Sequence, residues 1–165
     1  MAQTTKDTST STVPKGEVAK SKQSVTLDGK VIPLSAEAGT LQLKDENNKP
    51  IALYGYTAYF KDNPEKNRPI VFAYNGGPGS SSYWLHMGVM GPKRIVVDDP
   101  NYNAAAPYEL TNNEFSILDV ADVVMMDPVG TGLSVPIGDS KGADFWGVDQ
   151  DIRSTSLFIM QFLKE

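Results

Sequence analysis

The residues best placed to do chemistry form one short run, Asn75-Gly76-Gly77-Pro78-Gly79, followed by Ser80, Ser81 and Ser82. Two adjacent glycines let the backbone turn sharply and let a ligand approach with no Cβ in the way. Pro78 stiffens the turn and removes one donor. The remaining N–H groups can converge near a helix N-terminus, where partial positive charge favours an anion. Such a loop can bind phosphate, stabilise the oxyanion of an acyl transfer, or serve only as a tight turn. Phosphate is disfavoured. A P-loop needs G-x-x-x-x-G-K-[ST], and no Lys or Arg lies between Arg68 and Lys93. Gly130-Thr131-Gly132 is followed by no third glycine at the dinucleotide spacing.

A nucleophile is harder to find. No G-x-S-x-G elbow exists; the nearest run, Gly132-Leu133-Ser134-Val135-Pro136, ends in Pro and sits beyond its strand. Ser134 therefore reads as a loop serine. Ser80, Ser81 and Ser82 read as caps of the helix after the loop, because serine oxygens accept from free N–H groups. His86 is the only histidine. It lies upstream of any plausible nucleophile, so it reads as a packing or hydrogen-bonding residue. One histidine and no cysteine exclude a thiol nucleophile, a disulfide and a His- or Cys-rich metal site. No metal and no cofactor is expected. Asp98-Asp99 reads as a solvated loop and Asp149 to Asp151 as a helix surface, while Asp127 stands at a strand end.

The elements that must position this loop follow from the pattern around it. Residues 1–22 are rich in Thr, Ser and Lys and hold no aromatic residue, so they read as a flexible tail. Order is expected from near Ser24. Val25 and Leu27, then Asp28-Gly29, then Val31 and Ile32 predict a hairpin. Leu41 and Leu43 alternate with Thr40, Gln42 and Lys44, and the turn DENNKP leads to IALYGYTAYF. Together these predict an antiparallel meander. The apolar run Ile70–Tyr74 suits a central strand covered on both faces, and NGGPG breaks it. A helix is predicted from about Ser82 to Met90, stopped by Gly91-Pro92. RIVVD, a polar loop through Asn113, and a second buried strand in ADVVMMD follow. A long helix is predicted from about Asp144 to the end, with Val148, Ile152, Ile159 and Leu163 on one stripe and Phe158 and Phe162 beside it. Apolar strands alternating with helices after a meander predict an α/β fold.

The totals bound the rest. The 165 residues suit one domain over residues 23–165. Hydrophobic content of 40% and charged content of 21% are an ordinary globular balance. A net charge of −5 gives no footprint for nucleic acid. No apolar run approaches the ~20 residues of a membrane helix, so no membrane partner is expected. No signal peptide is visible at the N-terminus.

RPIVFAYNGGPGSSS, then Met90-Gly91-Pro92, then MDPVGTGLS and DFWGVDQDIRSTSLFIMQFL, resemble the serine carboxypeptidase family in order and spacing. The resemblance covers roughly Leu41 to Glu165. It implies a partial α/β-hydrolase sheet with flanking helices, a peptide substrate, and a secreted or periplasmic setting. It implies that Gly77 donates its backbone N–H to the oxyanion, that Gly76 shapes the turn, and that Asn75 hydrogen-bonds the substrate's C-terminal carboxylate. Trp84 then either lines the pocket for the departing residue or anchors the first helix. Asp127 would fix the Pro-Val-Gly-Thr-Gly loop. Two positions depart from the pattern: Ser80 stands where many members have Cys, and Val89 where many have a Glu that helps bind the carboxylate. The resemblance also implies that the chain is an N-terminal portion, lacking the Ser, Asp and His of the triad. The partner it lacks would be the C-terminal part of the same fold. A non-catalytic anion- or peptide-binding module, and an esterase or acyltransferase of the same fold, are the alternatives.

Overall fold

Asp28 and Gly29 both take positive φ, 48° and 74°, and close a hairpin between strand β1 (Val18–Leu27) and strand β2 (Lys30–Lys44). The structure is a computed structural model describing residues 13–76, 79–97, 106–107 and 109–164. β2 runs unbroken for 15 residues and turns through Asp45–Lys49 into β3 (Pro50–Lys61). The Asp45 carboxylate accepts from the N–H groups of Asn47 and Lys49 and fixes that turn. The meander is thus three strands hinged on one long central member.

β1 starts at Val18, earlier than the expected onset near Ser24, so the chain from Val18 to Lys22 is strand rather than tail. Nothing in its composition announces a strand, because Lys20 and Lys22 face water. Pairing along β2 holds it, with Lys20 bonded to Glu37 at 2.6 Å and Lys22 to Asp62 at 2.9 Å across the sheet. Residues 1–12 lie outside the described residues.

The sheet continues through β4 (Ile70–Tyr74) and β7 (Asp122–Met126) in the order β1-β2-β3-β7-β4. β7 pairs antiparallel with β3 and parallel with β4. Between them lie a helix, a short antiparallel pair β5 (Lys93–Ile95) and β6 (Leu110–Asn112), and a turn at Ser116–Val120. The expected polar loop through Asn113 therefore contains a strand. Asn113 itself is buried, donating from Nδ2 to the carbonyls of Val89 and Gly91. A two-residue strand β8 (Val135–Pro136) pairs with β3.

The strand covered on both faces is β7, not β4. Val123 and Met125 face one core with Leu34, Tyr59 and Leu118, while Val124 and Met126 face the other with Tyr54, Tyr56 and Phe158. A pleat buried on both sides reads as a continuous apolar run. β4 ends the sheet among the described residues, and of its five side chains only Ala73 is buried.

Helix α1 covers one face. It begins as one α-helical turn, Tyr83–Leu85, and continues as a π-helical stretch, His86–Met90, where the N–H of Gly91 reaches the His86 carbonyl. Helix α2 (Val148–Phe162) covers the other face. It starts four residues later than expected. Gly142–Asp144 forms a 3-10 turn instead, and Gly147, at φ 139°, breaks the chain before the helix. The buried stripe of α2 also differs. Phe158 stacks on Tyr54 with ring centroids 4.6 Å apart and is fully buried, with Phe162 packed against Tyr56 and Phe72. Val148, Ile152 and Leu163 are exposed. The sheet offers Tyr54 and Tyr56 to α2, and aromatic partners draw the phenylalanine face inward. Burying Phe158 stabilises the pair by about 2 kcal/mol. No helix among the described residues is long and apolar enough to cross a membrane.

Candidate functional site

β4 and β7 run parallel, so their C-terminal ends lie side by side and both open into loops. The first loop begins with Asn75 and Gly76; the second is Pro128–Ser134. In parallel sheets, this edge is where ligands bind. Tyr74–Gly76 and Gly79–Ser80 from the first loop, Pro128–Thr131 from the second, and Phe145–Val148 with Asp151 from the start of α2 line a groove of about 620 Å³. Asn75 and Gly76 thus line the concavity. Gly77 and Pro78 lie outside the described residues.

The Asn75 side chain is half-buried. Its Nδ2 donates to Ser80 Oγ at 2.5 Å and to the Gly76 carbonyl at 3.2 Å. The amide therefore closes the loop on itself by bonding across five residues. A carboxylate reaching this amide would share or displace the Ser80 hydroxyl.

The loop is anchored behind by Asp127. Its Oδ1 accepts both the N–H and the hydroxyl of Ser82, at 2.7 and 2.8 Å. Ser82 is the N-cap of α1, yet its hydroxyl makes no capping bond. The expected serine cap is replaced by a carboxylate from the neighbouring strand end, which suits the positive helix terminus better. The Asp127 backbone carbonyl in turn accepts the Ser134 hydroxyl at 2.5 Å, and that hydroxyl accepts the Gly55 N–H at 2.6 Å. Ser134 is 2% exposed and bridges β3 to the second loop. Its proton is committed to that carbonyl, in keeping with a loop serine.

His86 bonds through Nε2 to the Tyr59 hydroxyl at 2.8 Å, and the rings lie tilted 5.6 Å apart. Burial holds the imidazole below its ordinary pKa, against the pull of the Asp127 charge. Burial likewise raises the Tyr59 phenol. This is the packing and hydrogen-bonding role expected for His86.

Trp84 is 68% exposed and stacks edge-on against Tyr83, so it does not anchor the helix, and it is not among the groove's lining residues. The tryptophan that does line the groove is Trp146, which sequence reasoning missed. The signal was present as glycines at 130 and 142. A Cβ at Gly130 would sit 2.9 Å from the indole Nε1, and one at Gly142 would sit 2.4 Å from Cζ2. The ring occupies the space those missing side chains leave. Val89 is 53% exposed.

The chain is 33% identical over 129 residues to the pheromone-processing carboxypeptidase KEX1 of Clavispora lusitaniae, covering 78% of this chain and 17% of that protein. It is 30% identical over 119 residues to serine carboxypeptidase-like 10 of Arabidopsis thaliana, covering 70% of this chain and 26% of that protein. The chain therefore spans 17% to 26% of these relatives' length. The crystal structure of Kex1Δp, a prohormone-processing carboxypeptidase from Saccharomyces cerevisiae, aligns with a TM-score of 0.49 at 26% identity, over 79% of this chain and 27% of that one. The family model for serine carboxypeptidases matches residues 27–165, a span that begins within β1 and takes in both groove loops and all of α2. On that match, the chain belongs to the serine carboxypeptidase family.

Proposed function

We propose that this chain is the N-terminal portion of a serine-type carboxypeptidase-like peptidase of α/β-hydrolase fold, which releases C-terminal residues through an acyl-enzyme. In this reading the 165-residue chain carries the oxyanion loop and part of the substrate groove. The nucleophile, acid and histidine come from the C-terminal part of the same fold. The observation that carries the reading is the position of Asn75 and Gly76, at the C-terminal end of β4 and on the rim of the groove. Gly77 then donates one backbone N–H to the oxyanion, and the second donor belongs to the residue after the nucleophile. Gly76 shapes the turn and Asn75 meets the peptide carboxylate. Trp84, exposed beside the loop, contacts the departing residue only if the substrate extends beyond the groove.

A second reading, an esterase or acyltransferase of the same fold, is favoured by Val89. An apolar side chain cannot share a proton with a substrate carboxylate, so recognition of a free C-terminus rests on Asn75 more heavily.

The test compares the isolated chain with the longer protein that continues it. The longer protein is expected to take a serine-directed fluorophosphonate and to release C-terminal residues from blocked dipeptides. Gly77→Val in that protein is expected to slow turnover by roughly a hundredfold, the usual scale for one oxyanion donor. The isolated chain is expected to take no label. Stoichiometric labelling of the isolated chain at Ser134 or at Ser80, Ser81 or Ser82 overturns the division of labour. Ester cleavage without peptide cleavage by the longer protein favours the second reading.

A further inference from the structure

We infer that Trp146 is the specificity-determining residue of the groove, and that it takes a large apolar side chain of a peptide, aromatic or branched aliphatic. The inference deepens the peptidase reading by naming a substrate class.

Trp146 is 65% exposed, a large apolar surface left in water inside a concavity. It is nevertheless held. Its ring rests against the backbone at Gly130 and Gly142, two positions where any Cβ would collide with the indole. Gly130 sits at φ 96°, so a side chain there is disfavoured on backbone grounds as well. Val129 and Phe145, which also line the groove, are 5% and 6% exposed and belong to the packed core. An indole fixed in orientation and open on one side is a preorganised platform, since little conformational entropy is lost when a ligand covers it.

The described lining of the groove is mostly uncharged. Among the described residues, Asp151 is the one charged group that lines it. That carboxylate belongs to the first turn of α2, where the free N–H groups of the helix already favour it. The remaining polar groups are uncharged, and Asn75 and Ser80 are bonded to each other. Asn75 and Trp146 both line the groove. A dipeptide lying between them presents its carboxylate to the first and a side chain to the second.

The 165-residue chain with Trp84→Phe, carrying Ile152→Lys and Leu163→Lys to keep it monomeric, has Trp146 as its single tryptophan, so its fluorescence reports the groove alone. Titration with N-acetyl-Phe-Phe, N-acetyl-Ala-Ala and N-acetyl-Lys-Lys, each as free acid and as amide, gives the side-chain preference and the carboxylate preference separately. The expected result is saturable binding of the Phe peptide about tenfold or more tighter than the Ala peptide, the scale of discrimination by apolar contact. Trp146→Ala, followed by calorimetry, is expected to erase that ratio while leaving the circular-dichroism melt within a few degrees. If the Ala variant does not fold, Trp146→Leu is expected to shift preference from Phe toward Leu peptides. Equal affinity for Phe and Ala peptides, tightest binding of the Lys peptide, or no saturation with any peptide overturns the inference. Free acid and amide binding alike, with the Phe preference intact, removes the carboxylate role of Asn75 and leaves Trp146 standing.

Discussion

Asp127 holds Ser82 twice, one carboxylate oxygen accepting both the backbone N–H and the hydroxyl at 2.7 and 2.8 Å. The bonds join the end of β7 to the residue that caps the helix following the first groove loop. Two loops that rim one groove are thereby held at a fixed separation.

Asp127→Ala leaves two donors at Ser82 without their acceptor. The expected cost is about 2 kcal/mol, the scale of hydrogen bonds to a charged group. Asp127→Asn keeps an accepting oxygen and is expected to cost less than half as much. Urea denaturation of the three proteins gives the comparison. An alanine variant as stable as the parent shows that the contact does not tie the loops.

His86 is the chain's only histidine, so its titration is separable from the rest. Burial lowers its folded pKa below the unfolded value of about 6.5, and the fold therefore favours the neutral ring. Its contribution to stability is complete above about pH 6.5, declines as pH falls below that value, and levels off under the folded pKa. His86→Gln keeps a hydrogen-bonding partner for Tyr59 and is expected to flatten the stability profile between roughly pH 7.5 and 5.5. Identical slopes in variant and parent, read from denaturation midpoints, assign the effect to carboxylates instead.

Arg68 is a buried cation at the mouth of β4, its side chain 5% exposed. Nε pairs with Asp122 at 2.9 Å, and the two terminal nitrogens donate to the carbonyls of Asp119, Leu118 and Ala121. A planar fork meets four acceptors that an ammonium cannot reach together. Arg68→Lys keeps the charge and is expected to cost about 3 kcal/mol, in the range for breaking a buried pair. A loss under about 1 kcal/mol, measured by guanidinium denaturation, means the carbonyls are satisfied by water.

Val148, Ile152 and Leu163 are each 60% exposed or more on α2, and β4 has one strand neighbour among the described residues. Open edges and apolar patches promote association. The isolated chain is expected to form oligomers at micromolar concentration, and Ile152→Lys with Leu163→Lys is expected to shift it toward monomer. Sedimentation velocity decides; a monodisperse monomer for the parent chain removes the premise.

What the sequence made legible was the periodicity and the glycine punctuation. Alternation around Leu41 and Leu43, the continuous run Val123 to Met126, and the Asp28-Gly29 turn each have one physical solution, and each forms as expected. The break in the chain at Asn75-Gly76 was legible because a strand, a glycine pair and a helix in that order leave little choice. Elements held by long-range bonds were not. Val18 to Lys22 shows no apolar pattern, and its strand exists through β2 and Asp62. The start of α2 turned on the φ of Gly147, and its buried face on Tyr54 and Tyr56, about a hundred residues earlier in the chain. Trp146 and the Asp127–Ser82 bond depend on which loops meet, which no local window contains.

The parallel pairing of β4 with β7 carries a consequence for the order of assembly. Ile70 meets Asp122 across roughly 50 intervening residues, whereas β1, β2 and β3 pair through tight turns. Closing the longer loop costs entropy that no contact repays until both strands are in place, and such pairing is slow. The meander is therefore expected to gain amide protection first, and the groove, which exists only where β4 and β7 end together, to be the last part of the molecule to form. Pulse-labelled hydrogen exchange during refolding checks the sequence of events through the amides of Leu41 and Leu43 against those of Val124 and Met126.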